Sequence, residues 1–223
     1  MKRGQRQESA NLDFITIIHN YMPSLVLQKM INRQERMTMY KKQGNKEQLK
    51  KEKDSETVLP ELQPMETVVL FADISGFTTL SEACANMGVR GNEELAKAIN
   101  SYMEGMCRHL GKYGGDIIKF VGDAIIVMWP PSTKFGPGFD PKQDTIKKAI
   151  QCALDIQREM GQLVVLGGLA SLSVKIGIGF GKCALLYVGG IFNRAEFFTV
   201  GDALKQALGS EGCASGGGET IVS

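Results

Sequence analysis

Residues 68–80 read "VVLFADISGFTTL", and the order of residue types in this stretch decides the fold. Val68, Val69, Leu70 and Phe71 make an unbroken apolar run, the mark of a buried strand. Ala72 and Asp73 follow, and Ser75-Gly76 then makes a tight turn. The continuation "SGFTTLSEACANM" reads as that turn leading into a helix. A buried strand that ends on a carboxylate and bends at once puts a charge at the edge of a sheet.

Working outward, "NEELAKAINSYMEGMCRHLGKYGG" carries Leu95, Ile99, Tyr102, Met106, Leu110 and Tyr113 on one helical stripe. Asn92 is the expected N-cap, Glu93 and Glu94 suit the positive end, and Gly114 supplies a stop. "DIIKFVGDAIIVMW" gives two apolar runs around Gly122-Asp123, which predicts a hairpin. After the loop "PPSTKFGPGFDP", the helix "TIKKAIQCALDIQREM" turns Ile146, Ile150, Ala153 and Ile156 inward. "LSVKIGIGFGKCALLYVGG" reads as a second hairpin, "EFFTVGDALKQALGSEG" as a strand running into a helix, and "ETIVS" as the start of a strand. This order predicts an α/β fold, an α+β sandwich with helices packed on a mixed sheet.

The 223 residues are 43% apolar, enough for one full domain and an extra segment. No run approaches the roughly 18 apolar residues of a membrane span, and no secretory signal pattern is present. The five cysteines (84, 107, 152, 183 and 213) show no CxxC spacing and read as reduced packing residues, which predicts a cytoplasmic protein. Residues 1–60 hold 12 Lys/Arg against 7 Asp/Glu, while the remainder holds 14 against 17. The basic excess therefore lies in the leader, and the main domain offers no broad basic face for nucleic acid. Residues 1–32 read as a short leader element broken near Pro23. Residues 33–64 are Lys-rich and read as a mobile linker or surface insertion, with an anionic-surface patch as the alternative. The core domain spans 65–223.

Asp73 and Asp123 each follow an apolar run. Taken alone, Asp123 is an ordinary Gly-Asp turn residue and Asp73 a cap of the next helix. If their strands are neighbours, the two carboxylates converge. Two such charges with no cation between them cost several kcal/mol to bury, roughly, and a divalent ion removes that cost. Hard oxygen ligands in this number suit Mg²⁺, which completes its shell with phosphate and water. Gly76 frees the turn to aim successive N–H groups at an anion. No GxxxxGK[ST], GxGxxG after a strand, or HExxH motif occurs. His19 and His109 lie in apolar helical settings and read as packing or surface residues.

"FADISGFT" followed by "GGDIIKFVGDAIIVMW" resembles the class III nucleotidyl cyclase catalytic domain. Within that family it is most similar to the first catalytic domain of the bicarbonate-responsive soluble adenylyl cyclases. The resemblance covers about 65–223 and implies a ferredoxin-like mixed sheet. It implies two Mg²⁺ ions, with Mn²⁺ as a substitute, held by Asp73, the Ile74 carbonyl and Asp123. It implies further that the amides of Ser75, Gly76, Phe77 and Thr78 contact the β- and γ-phosphates of ATP, and that Lys175 reaches the triphosphate. Lys119 falls where adenine-selective members carry Lys. In the soluble-cyclase first domain that lysine instead binds bicarbonate, with a backbone contact that falls here at Thr199.

Two departures shape the expected function. Self-sufficient cyclases carry an Asn and an Arg on the helix after the G-D turn that falls here at Gly201-Asp202, and these positions are Lys205 and Gly209. The family arginine that grips bicarbonate falls at Leu208, which predicts weak or absent bicarbonate stimulation. The reading is then the metal-bearing half of a soluble adenylyl cyclase, needing a second cyclase domain and lacking nucleic-acid or transmembrane partners. Its abrupt end at "ETIVS" predicts a truncated C-terminus. The rivals are an inert cyclase-fold regulatory or dimerisation module and a basic-leader scaffold protein.

Overall fold

A computed structural model describes residues 22–54, 59–131, 138–191 and 194–223. The chain forms two compact units: residues up to Glu61 together with Tyr187–Glu196, and Leu62–Leu186 together with Phe197–Ser223.

The first unit contains helices α1 (Ser24–Lys42) and α2 (Lys46–Asp54). Pro23 immediately precedes α1, and Val26 and Leu27 in its first turn are buried. The expected leader residues before 22, with His19 among them, lie outside the described residues. Within the Lys-rich stretch, expected to be a mobile linker or surface insertion, residues 33–42 and 46–54 are helical. The reason is that Lys, Glu, Gln, Arg and Met make a chain polar and are also strong helix formers, since straight side chains lose little rotamer freedom. Tertiary pairing then fixes the result. Two guanidinium N–H groups of Arg36 donate to Glu52 Oε1 at 3.1 and 2.8 Å, and Arg33 donates to the Glu52 carbonyl at 2.8 Å. Lys29 pairs with Glu61 at 2.7 Å and lies 3.5 Å over the Tyr187 ring.

The remaining elements are β1 (Glu61–Ser75), α3 (Phe77–Ala85), α4 (Gly91–Lys112), β2 (Asp116–Val121), β3 (Ala124–Trp129), α5 (Pro141–Met160), β4 (Gln162–Val165), β5 (Ala170–Ile191), β6 (Arg194–Gly201), α6 (Asp202–Gly212) and β7 (Thr220–Val222). The main sheet path is β2-β3-β1-β5-β4, with β6 and β7 also pairing with β5. β7 runs parallel to β5, while β3 is antiparallel to both β1 and β2. The α/β architecture with a mixed sheet is thus as the sequence predicts. β1 is central, which is why Val68, Val69 and Leu70 are all fully buried.

Helices α4 and α5 cover the sheet with Tyr102, Met106, Leu110, Cys152, Ala153 and Ile156. The Tyr102 hydroxyl donates to the Met160 carbonyl at 3.0 Å. Asn92 does not cap α4, which begins one residue earlier at Gly91, whereas Tyr113-Gly114 ends it as expected. The β2–β3 hairpin closes on Gly122-Asp123. A register shift between Ile117 and Lys119 marks a bulge in β2, after which Lys119, Phe120 and Val121 are all exposed.

A second stretch departs from the sequence expectation. "LSVKIGIGFGKCALLYVGG" is part of a single 22-residue strand, β5, rather than a hairpin. Gly177 and Gly179 look like turn residues but serve close packing. A Cβ at Gly177 would lie 2.0 Å from the Ala207 carbonyl oxygen, and one at Gly179 would lie 2.3 Å from that of Ala203. The bare strand lets α6 lie flush against β5.

Candidate active site

Asp73 stands opposite Ala124 in the β1–β3 ladder. Ala124 directly follows Asp123, so the hairpin turn carries the second carboxylate to the end of β1. Asp73 is half-buried and Asp123 exposed. Burial, then the charges of Asp123 and Glu211, push the Asp73 carboxyl above its ordinary range, with Lys175 pulling the other way. Ile74 is fully buried, so only its backbone can serve the site.

Gly76 follows Ser75 with φ of 103° and caps α3. Ser75, Phe77 and Thr78 flank it, with Phe77 and Thr78 in the first turn of α3, so their N–H groups lie at a helix N-terminus. Leu80 returns its N–H to the Gly76 carbonyl at 2.9 Å. A Cβ at Gly76 would lie 2.2 Å from the Ser171 carbonyl oxygen, so the turn fits against β5 only as glycine.

Lys175 projects from β5 beside Asp73. Its Nζ lies 4.0 Å from Asp73 Oδ2 and 2.9 Å from Glu211 Oε1. Glu211, in the last turn of α6, has no place in the sequence reading. Only the glycine at 177 hinted that α6 would approach β5 so closely. A cavity of about 360 Å³ adjoins Asp123, lined by Phe77, Ile99, Met103, Phe120 and Gly122. Ile99 was legible only as part of the core-facing stripe of α4, and Met103 was not on that stripe.

The structure does not bring Lys119 and Thr199 together as a pair, because Phe198 and Thr199 are adjacent on β6 and face opposite sides. Lys119 Nζ stands 5.0 Å over the Phe198 ring, and the Thr199 hydroxyl contacts Met128 Sδ at 3.8 Å. Leu208, Lys205 and Gly209 are exposed along α6. His109 is buried and pairs with Glu159 at 3.0 Å, away from Asp73 and Asp123. All five cysteines are free.

The donor set tests the fit to a metal. Among the described residues no cluster of three or more His, Cys, Asp or Glu side chains can hold an ion. Two carboxylates and a backbone carbonyl remain, an all-oxygen set too small for a closed protein cage. That set fits Mg²⁺, which keeps water and takes substrate phosphate. No helix among the described residues is long and apolar enough to cross a membrane.

Residues 61–212 match the family model described as Adenylate and Guanylate cyclase catalytic domain. Adenylate cyclase type 10 of Oryctolagus cuniculus is 33% identical over 147 residues, 65% of this chain and 9% of that protein. An adenylate cyclase of Anabaena cylindrica is 31% identical over 148 residues, 65% of this chain and 26% of its own length. The chain thus spans a small part of these relatives. The crystal structure of the adenylyl cyclase CyaB from P. aeruginosa superposes with a TM-score of 0.55 at 28% identity, covering 73% of this chain and 79% of that one. With the family model matching well over half its length, the chain belongs to the adenylate and guanylate cyclase catalytic domain family.

Proposed function

We propose that this domain is the metal-binding half of an adenylyl cyclase, forming cyclic AMP and pyrophosphate from ATP at an interface with a second cyclase domain. The observation that carries the reading is the register that sets Asp73 opposite Ala124, next to Asp123, at the mouth of the Gly76 turn. The nearby ammonium of Lys175 is held by Glu211 rather than by Asp73. The carboxylate pair therefore keeps unbalanced charge, which a cation would offset. The choice of ATP rests on the relatives named adenylate cyclases.

Asp73, Asp123 and the Ile74 carbonyl would hold two Mg²⁺ ions, with Mn²⁺ as a substitute. When bound, the metal supplies a lowered pKa at the ribose 3′-hydroxyl and charge neutralisation on the triphosphate. The amides of Ser75, Gly76, Phe77 and Thr78 receive β- and γ-phosphate oxygens at the N-terminus of α3. Lys175 adds a positive charge beside them. The 3′-hydroxyl gives its proton to water, its oxygen bonds to the α-phosphorus, the bond from that phosphorus to the α,β-bridging oxygen breaks, and pyrophosphate departs. The protein's share is placement and charge, with no covalent intermediate of its own.

The second domain supplies what α6 lacks at Lys205 and Gly209. It covers Phe120, Val121 and Phe198, which are 51%, 48% and 44% exposed. Lys119 remains the anion-binding candidate, but it lies over Phe198 while Thr199 turns to the other face of β6 against Met128; with Leu208 at the family arginine position, bicarbonate stimulation is weak or absent. The catalytic domain begins near 65, and α1 and α2 lie outside it.

Mixing this chain with a cognate second domain, with Mg²⁺ or Mn²⁺, tests the reading. ATP yields cyclic AMP, and Asp73→Ala or Asp123→Ala abolishes it. Product from GTP alone, or activity that survives both changes, overturns it. The exposed Lys205 and Gly209 favour a second reading, an inert dimerisation module. That reading predicts no product with any partner.

A further inference from the structure

We propose that Glu211 is a positioning residue that draws Lys175 away from Asp73 and so keeps that carboxylate open to a cation. The inference rests on the reading of Asp73 as a metal ligand. Among the described residues Lys175 has two carboxylates within 4 Å, at 2.9 Å on Glu211 and 4.0 Å on Asp73. Coulomb attraction falls with distance, and only the shorter contact is also a hydrogen bond. Glu211 is the more enclosed partner, its side chain 14% exposed against 30% for Asp73. The Glu211 pair therefore wins.

The arrangement is built into the packing. Lys175 and Gly177 are two apart on β5 and share one face. A Cβ at Gly177 would come within 2.4 Å of the Glu211 amide nitrogen and 2.8 Å of its Cβ. Glycine there lets the last turn of α6 settle on the strand, which delivers the Glu211 carboxylate to the neighbouring ammonium. Both partners sit on regular elements, so the geometry is fixed by the fold and not by a loop.

Without Glu211, the one carboxylate left within 4 Å of Lys175 among the described residues is Asp73. The ammonium has to close 1.1 Å to match its present contact, well within the pivot of a flexible four-carbon stem. An ion pair there occupies the oxygen that a cation needs. Glu211 thus acts on metal binding through Lys175 and not as a ligand.

The test is Mn²⁺ binding to this chain, read by water-proton relaxation, in a double-mutant cycle. Glu211→Gln weakens Mn²⁺ about tenfold, which corresponds to about 1.4 kcal/mol. In the Lys175→Met background the same change has less than a twofold effect, because the competitor is gone. Equal weakening in both backgrounds would mean that Glu211 acts only through its field, and overturns the proposal. No weakening in either background overturns it too. If Glu211→Gln fails to fold, Glu211→Asp retracts the carboxylate by one methylene and supports the same comparison. Asp73→Asn separates the two readings. It abolishes Mn²⁺ binding if Asp73 is a ligand, and unchanged affinity sinks the ligand assignment and this inference with it.

Discussion

Gly76 lies against Ser171 so closely that a Cβ would stand 2.2 Å from the Ser171 carbonyl oxygen, and its φ is 103°. Gly76→Ala therefore meets both backbone strain and a clash with backbone that cannot rotate away. The expected loss is at least about 2 kcal/mol, or a melting temperature lower by about 4–8 °C for a chain of this size. Differential scanning calorimetry reads it. Cyclase activity with a second domain falls further than stability alone accounts for, because the same turn presents the phosphate-facing amides.

Asp73 costs the metal-free fold stability. Its folded pKa is raised, so the ionised form is disfavoured and stability declines as pH rises from the unfolded value through the folded one. At neutral pH Asp73→Asn should melt higher than the wild type. Adding Mn²⁺ should raise the wild-type midpoint and leave the variant unmoved. A variant that melts lower at pH 7 without metal would contradict this account.

Asp155 shows the opposite sign. The Tyr113 hydroxyl, then Lys112, hold its carboxyl well below the usual carboxylate range; Arg158 adds a contact at 2.8 Å and Gln151 one at 3.2 Å. The unfolded carboxyl titrates near about 4, so this group stabilises the fold above that point and the benefit is lost as pH falls below it. Asp155→Asn should lower the melting temperature at pH 7, and the gap to wild type should shrink on acidification from pH 4 downward. A gap that stays constant with pH would assign the loss to packing instead.

Two glycines should respond in opposite directions. Gly179→Ala brings a Cβ to 2.3 Å from the Ala203 carbonyl oxygen, whereas a Cβ at Gly209 meets nothing within 4 Å. The first should destabilise by about 2–3 kcal/mol. The second replaces an exposed helical glycine and should stabilise by about 1 kcal/mol. Urea unfolding followed by the fluorescence of Trp129, the one tryptophan of the chain, compares them directly.

Phe120 is exposed on the bulged end of β2. Phe120→Asp should leave folding intact and weaken association with a second cyclase domain about tenfold or more, as loss of an aromatic anchor does. Sedimentation velocity on the mixed domains measures it, and unchanged association would remove this edge from the interface.

Much of this arrangement was legible in the sequence. The unbroken run at 68–71 announced a buried strand, and Gly122-Asp123 announced the hairpin that carries the second carboxylate. Two patterns misled for physical reasons. Alternating glycines in β5 resemble turn residues because a missing side chain serves a bend and a close contact equally well. The Lys-rich stretch resembles a linker because solvation and helix propensity draw on the same side chains. Glu211 was invisible for a different reason. Its partnership with Lys175 exists only once α6 lies on β5, and nothing local to either residue encodes that approach except the small residue at 177.

The slip in β2 between Ile117 and Lys119 divides the hairpin into two working phases. Asp116 before it and Ile118 at it turn inward, 8% and 5% exposed; beyond it, Lys119, Phe120 and Val121 are all exposed. A strand with one uninterrupted inside-outside rhythm would tie the tip to whatever the interior demands. Here the extra residue works as a gear change. Substitutions that repack the interior need not disturb the setting of Asp123, and the tip can acquire new partners without reopening the core.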